Sequence, residues 1–131
     1  MTAINENFEF LFTTDASYGQ PIVVADTIKL CVRELNLMKG HPLHTGTGDG
    51  LKRLAACHFI FEDVTSSVRI LVPYIGDPKV GSFGEAHTEC DGPFGQHTVK
   101  QGYGFEGRME NPPAWVRDWV IVAGSFTLLV P

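Results

Sequence analysis

Several features that would indicate a membrane, secreted or nucleic-acid-binding protein are missing from this sequence. No apolar run approaches the ~20 residues of a membrane-spanning helix. The start, MTAINENFEF, lacks the positive charge and following apolar stretch of a secretory signal peptide. Lysine and arginine number 10 against 15 acidic residues, and no basic cluster alternates with aromatic residues. We therefore expect a cytoplasmic protein that binds neither a membrane nor nucleic acid.

Cysteine is scarce and widely spaced. The chain has 3 cysteines, Cys31, Cys57 and Cys90, and no C-x-x-C arrangement. An odd number of scattered cysteines is typical of free thiols in a reducing compartment. Their spacing also lacks the close pairs of ligands that a structural zinc site would show.

Two glycine-rich stretches have only a superficial likeness to nucleotide-binding loops. Residues 102–107 read GYGFEG and fit the G-x-G-x-x-G spacing, but the prolines of ENPP follow where a helix would have to begin. The stretch GTGDGLKR, residues 46–53, lacks the Walker spacing, and no apolar strand leads into it. Neither stretch predicts a nucleotide site, and we expect no organic cofactor.

The composition that is present can build a hydrophobic core. Hydrophobic residues make up 44% and charged residues 19% of the chain, which argues against disorder. A length of 131 residues predicts a single domain over residues 1–131. Turn formers separate segments with strand-like patterns, which we place at residues 7–14, 51–64, 66–75, 80–90, 96–109 and 115–130.

One segment, ADTIKLCVRELNLMKG, favours a helix over residues 27–39. Gly40 follows the end of the expected helix, where glycine is common. The apolar residues that would share one helical face are Ile28, Cys31, Val32, Leu35 and Met38.

The expected fold class is therefore α+β and β-rich. We expect a single curled antiparallel sheet or partial barrel of about six strands, packed on one helix. This order of elements is compatible with a hot-dog-like fold or a small ligand-binding barrel. Both comparisons concern architecture alone and assign no function.

The candidate site lies on a hairpin that we expect over residues 82–105. Alternate side chains of a strand share a face, and directly opposed Cβ atoms in a hairpin lie about 5 Å apart. If odd positions pair with odd positions, one face collects polar and aromatic residues from both strands. The residues on this face are Phe83, Glu85, His87 and Glu89, followed by His97, Val99, Gln101, Tyr103 and Phe105.

This face predicts an enzyme that uses acid–base chemistry on an apolar or aromatic small molecule. Histidine titrates near neutral pH, and a carboxylate beside it can orient the ring. Candidate reactions are isomerisation, cyclisation, dehydration and thioester hydrolysis. We expect His87 or His97 to transfer the proton, Glu85 or Glu89 to orient the imidazole, and Tyr103 to donate to a developing oxyanion. The substrate-binding candidates are Phe83, Val99, Gln101, Phe105 and, on the strand AACHFIF, His58.

Other interpretations of the same face stay open. Glu, His and Gln are ordinary on the solvated face of an antiparallel sheet, and a one-residue change of register would disperse the cluster. Two histidines and a carboxylate could also bind a metal, but the spacing matches no strong signature and we expect none. The aromatic residues favour a pocket. A non-catalytic ligand-binding protein and a structural subunit without a site are the alternatives to an enzyme.

The end of the chain predicts a homo-oligomer. Ile121, Val122 and Ala123 would place apolar side chains on both faces of the last strand, which must then be central in the sheet or covered by another subunit. Sedimentation at micromolar concentration should show a dimer or a larger assembly. A monomer of 14.4 kDa would contradict this prediction.

Overall fold

The computed structural model describes residues 1–46, 48–76, 82–98 and 101–131. Within these residues the regular secondary structure is almost all β-strand, and the one helical element is a 3-10 turn at Phe8–Phe10. The strands are β1 (Thr2–Asn5), β2 (Leu11–Phe12), β3 (Ser17–Tyr18), β4 (Ile22–Val24), β5 (Thr27–Leu37), β6 (Lys52–Glu62), β7 (Ser66–Pro73), β8 (His87–Asp91), β9 (Gln101–Glu110), β10 (Pro113–Ala123) and β11 (Ser125–Val130).

The described strands form one sheet of 11 members, in the order β1-β11-β6-β5-β3-β9-β10-β7-β8, with β2 and β4 paired to β5 beside this path. All pairs are antiparallel except β3 with β9, so the sheet is mixed. The expectation of an α+β fold with about six strands on a helix is therefore wrong. A hot-dog fold requires that helix, so the expected likeness to this fold is also wrong.

The expected helix over residues 27–39 is strand β5. Ile28, Leu30 and Val32 are fully buried at alternate positions, as in a strand with one face on the core. Glu34 then adopts a left-handed φ of 57°, and after it Leu35 and Leu37 are the buried leucines. The buried apolar positions thus change from even to odd numbers within one strand, and the polar Asn36 between the two leucines is buried as well. That change produces the i, i+4, i+7 spacing that imitates a helix.

The expected hairpin over residues 82–105 is also wrong. Strand β8 pairs with β7 at the edge of the sheet, whereas β9 pairs with β10 and β3. The reason lies in burial. Tyr103 and Phe105 of β9 are buried and lie opposite Ile121 and Trp119 of β10, while β8 has no buried residue. An apolar strand gains more from a central place, and the polar strand remains at the edge.

Strands β6, β7 and β9 lie where the sequence predicts them, within a few residues. The expected first strand is a 3-10 turn followed by the short β2, and the expected last strand is divided at Gly124 into β10 and β11. Both halves are interior strands, β10 between β9 and β7 and β11 between β1 and β6. A central place in the sheet therefore accounts for the apolar end of the chain, and the homo-oligomer remains a prediction.

The core is a cluster of aromatic rings enclosed by the curled sheet. Phe59 of β6 lies 5.8 Å from Phe105 of β9, although β5 and β3 separate their strands in the sheet order. Phe8, from the 3-10 turn, adds its ring 5.2 Å from Tyr103 and 5.0 Å from Phe126. Edge-to-face contacts of this kind add to the free energy of burial. The core therefore brings β6 and β9, which are not neighbours in the sheet, into contact through their side chains.

Phe59→Ala should destabilise the protein by about 3–5 kcal/mol, because it leaves a cavity among packed rings. Phe12→Ala is the matched control, since that side chain is 37% exposed at the surface and should cost far less. Urea denaturation of both variants gives the comparison. Equal effects would contradict this description of the core.

Candidate functional site

The structure places the side chains of Tyr103 and Phe105 in the core, away from His87. Tyr103 is fully buried and its hydroxyl donates to Glu6, 3.2 Å from Oε2. Burial, together with the Glu6 carboxylate, raises the pKa of Tyr103 to about 12. Tyr103 therefore does not lie beside His87 as expected for an oxyanion donor, because β10 and β7 separate β9 from β8 in the sheet order.

The other predicted residues are dispersed. Phe83 is 49% exposed, and its ring lies 5.1 Å from that of Tyr74. His58 lies on the outer face of β6, between the core residues Cys57 and Phe59. Glu85 and Gln101 are exposed on different parts of the surface, and Val99 lies outside the described residues.

His87 and Glu89 do come together, as the alternation of side chains predicts. They belong to a group of polar residues on the inward face of the β7–β8 edge, which we call the edge cluster: Ser67, Arg69, His87, Glu89 and Asp91. His87 Nε2 lies 3.2 Å from Glu89 Oε1. Glu89 Oε2 accepts a hydrogen bond of 2.9 Å from Arg69 Nη2. The carboxylate therefore connects an imidazole at the surface to a guanidinium in the interior.

Arg69 is the buried member of the edge cluster. Only 4% of its surface is exposed, and its guanidinium carbon lies 4.6 Å from the ring centre of Trp119. Sheet register explains the contact, because Trp119, Arg69 and Glu89 lie directly opposite one another on β10, β7 and β8. A buried cation needs nearby acceptors or an aromatic face, and this row of residues supplies both.

A second row of the cluster supports the first. Ser67 Oγ donates to Asp91 Oδ2 at 2.7 Å and accepts from the Trp119 indole Nε1 at 3.0 Å. Asp91 Oδ2 also lies 3.8 Å from Arg69 Nη1. Two carboxylates of the edge strand therefore face one buried guanidinium, and the indole that stacks on the guanidinium is itself held by a hydrogen bond.

The electrostatics determine which atoms of the pair carry the proton. The hydrogen bond from Arg69 holds the pKa of Glu89 below its ordinary value, with a smaller contribution from His87. Glu89 is then an ionised acceptor near neutral pH, so the proton in the 3.2 Å contact belongs to His87 Nε2. In the neutral ring, Nδ1 keeps a free lone pair. His87 is half exposed, so that nitrogen can exchange a proton with a bound molecule.

His97 forms a separate group at three turns, which we call the turn cluster: Asp26, Asp63, Gly95 and His97. Asp26 accepts the Gly95 N–H at 3.0 Å and the His97 Nε2 proton at 2.8 Å. The bond from Gly95 and that from His97 lower the pKa of Asp26. His97 Nδ1 lies 3.9 Å from Asp63, so carboxylates face both ring nitrogens. This arrangement joins the turns, and it places a carboxylate near each ring nitrogen.

Two of these partners were missed from the sequence. The alternation in SSVRILVP would place Val68, Ile70 and Val72 on the core face, whereas the structure buries Ser67, Arg69 and Leu71, so the sequence carried no signal for an inward-facing arginine. Asp26 gives no signal either, because its contact with His97 joins residues 71 positions apart. Only the fold brings them together.

In the part of the chain that the structure describes, no group of three His, Cys, Asp or Glu side chains is arranged to bind a metal ion. Within the same residues, no helix has the length and apolar character needed to cross a membrane.

All three cysteines are free thiols, and burial raises the pKa of Cys57 to about 12.

No family model, curated protein or solved structure matches this chain. Its function must therefore be inferred from the chemistry of its own residues.

Glu89→Gln should make the stability less dependent on acid. A carboxylate whose pKa is lowered by folding stabilises the protein above its ordinary pKa of about 4.3, and this contribution is lost as the pH falls through the folded-state pKa. The variant should therefore be less stable than the parent at neutral pH, and the difference should shrink in acid. Urea denaturation over this pH range measures the effect. Glu62→Gln, an exposed control on β6, should change little; a constant difference for Glu89→Gln would contradict the Arg69–Glu89 bond.

Proposed function

We propose that the protein is a small-molecule enzyme in which the edge cluster performs general acid–base catalysis. His87 transfers the proton through Nδ1, Glu89 orients the ring through Nε2, and Arg69 keeps Glu89 ionised and in place. The observation that carries the proposal is the chain of contacts from the buried Arg69 through Glu89 to the half-exposed His87, with distances of 2.9 and 3.2 Å. A catalytic imidazole is commonly oriented by a carboxylate that is itself fixed.

The geometry favours His87 over His97 as the proton-transfer group. At His97, Asp26 and Asp63 lie 2.8 and 3.9 Å from the two ring nitrogens. At His87, the one carboxylate in contact is Glu89, among the residues that the structure describes. A general base needs one nitrogen oriented and the other open to the reacting atom. His97 is thus better suited to joining turns than to chemistry.

The substrate class follows from aromatic surface on the same edge. Phe83 pairs with Tyr74 just beyond the point where His87 pairs with Leu71. At ~3.3 Å per residue along a strand, the aromatic pair lies roughly 10–13 Å from the imidazole. Since Phe83 is 49% exposed, it can contact an apolar or aromatic substrate whose other end reaches His87. Isomerisation and dehydration suit this site best, because proton transfer is the main chemical step that they require.

A non-catalytic ligand-binding protein is the second candidate. The same Tyr74–Phe83 surface, with ring centres 5.1 Å apart, would hold an apolar ligand without any reaction. Binding without turnover would favour this candidate. We also propose that the protein is a homo-oligomer located in the cytoplasm, and neither property is needed for the chemistry at His87.

The test is proton exchange on simple probes. A panel of aryl ketones in heavy water should gain deuterium beside the carbonyl group, as measured by mass spectrometry. His87→Gln should slow the exchange by about 10²–10⁴-fold, the usual contribution of a proton-transfer group. Glu89→Gln should have a smaller effect. His58→Gln is the matched control on the outer face of β6 and should leave the rate unchanged.

Two outcomes would contradict the proposal. If His97→Gln abolishes exchange and His87→Gln does not, the chemistry belongs to the turn cluster. If the panel shifts the NMR signals of Phe83 and His87 without any exchange, the protein binds such molecules and does not transform them. The melting temperature of His87→Gln should stay close to that of the parent, because this side chain is half exposed.

A further inference from the structure

A shallow groove of about 240 Å³ lies on the outer surface, and the edge cluster contributes no residue to it. We call it the bulge groove. It is lined by Thr13, Gly104, Phe105, Glu106, Arg117 and Asp118. Its lining is polar apart from the glycine and the buried Phe105, which distinguishes it from the aromatic core beneath.

A β-bulge builds this groove. Strand β10 pairs Val116 with Gly107 and Trp119 with Phe105, so Arg117 and Asp118 together lie opposite the single residue Glu106. Val116 and Trp119 both face the core. The two residues between them are therefore both exposed, where a regular strand would expose one. Bulges re-aim side chains in this way and are common beside binding sites.

Glu106 is fixed in place. Its Oε1 accepts a hydrogen bond of 2.7 Å from Thr14 Oγ1, and its backbone N–H donates to Thr13 Oγ1 at 3.2 Å. Its carbonyl oxygen accepts from the Tyr18 hydroxyl at 2.6 Å. The acceptor on this side of the groove is therefore preorganised, which lowers the entropic cost of binding.

Arg117 supplies the donors on the other side. No carboxylate among the described residues forms an ion pair with its guanidinium. Its five N–H groups remain available to a ligand. Gly104 leaves the floor open, since a Cβ there would meet no atom within 4 Å. Glycine weakens a strand, and such a position often marks the close approach of a ligand.

We propose that the bulge groove binds a neutral polyhydroxylated small molecule, such as a single saccharide unit. Two carboxylates against one guanidinium give the groove a net negative charge, which disfavours anions. Vicinal hydroxyl groups act as donors and acceptors together, and so match Glu106, Asp118 and Arg117 at once. The volume is below the roughly 300–1,000 Å³ of ordinary ligand pockets, so the occupant is small.

The experiment is an NMR titration of the whole chain with glucose, galactose and N-acetylglucosamine. At least one saccharide should shift the amide signals of Gly104, Glu106, Arg117 and Asp118. Arg117→Ala and Asp118→Asn should each weaken binding by about tenfold or more, as expected for a lost hydrogen bond to a charged group. Lys52→Ala, an exposed cation on β6, should have no effect.

Glycine variants keep the test independent of folding. Gly104→Val adds a β-branched side chain to a strand, which should not unfold the protein but should block the groove. Gly102→Val is the matched control, because it is equally open but does not line the groove. Overturning results are no shift with any saccharide, equal binding by all variants, or shifts produced only by sodium acetate or tetramethylammonium chloride. His87→Gln should leave saccharide binding unchanged, which separates this proposal from the proposed enzyme activity.

Discussion

The contact between Arg69 and Trp119 is the constraint on which the polar edge of this protein depends. A guanidinium that is only 4% exposed has lost most of its hydration, so it must be stabilised by the protein itself. The indole face and the carboxylates of Glu89 and Asp91 provide this stabilisation. Both carboxylates belong to β8, which pairs with β7 alone among the described strands. Holding Arg69 therefore also fixes the edge strand, and with it the orientation of His87.

The aromatic core and the edge cluster are parts of one continuous packing arrangement. Phe105 stacks on Trp119 with ring centres 5.1 Å apart, and Trp119 stacks on Arg69 in turn. A row of opposed residues therefore crosses β9, β10, β7 and β8, from a fully apolar contact to a charged one. The bulge in β10 interrupts the alternation one residue before this row, between Val116 and Trp119. The same irregularity that returns Trp119 to the core exposes Arg117 and Asp118 on the outer surface.

Local alternation could be read from the sequence, whereas strand order could not. The period of two correctly placed His87 and Glu89 on one face, because a strand fixes that relation without knowledge of its neighbours. It failed in β5, where the left-handed Glu34 changes which positions are buried and a strand imitates a helix. The hairpin prediction failed for another reason: adjacent strands along the chain were assumed to pair, but β10 and β7 lie between β9 and β8 in the sheet order. Pairings such as β1 with β11 join the two ends of the chain, and no local pattern encodes them.

Hydrogen exchange at the two tryptophan indoles tests the central claim most directly. The Nε1–H of Trp119 is buried, bonded to Ser67 Oγ and covered by Arg69, whereas Trp115 is partly exposed. The Trp119 indole proton should therefore exchange far more slowly than that of Trp115. In Arg69→Met, the Trp119 proton should lose much of this protection, because Glu89 and Asp91 no longer hold β8 over the site. Similar exchange rates for the two indoles in the parent protein would contradict the account.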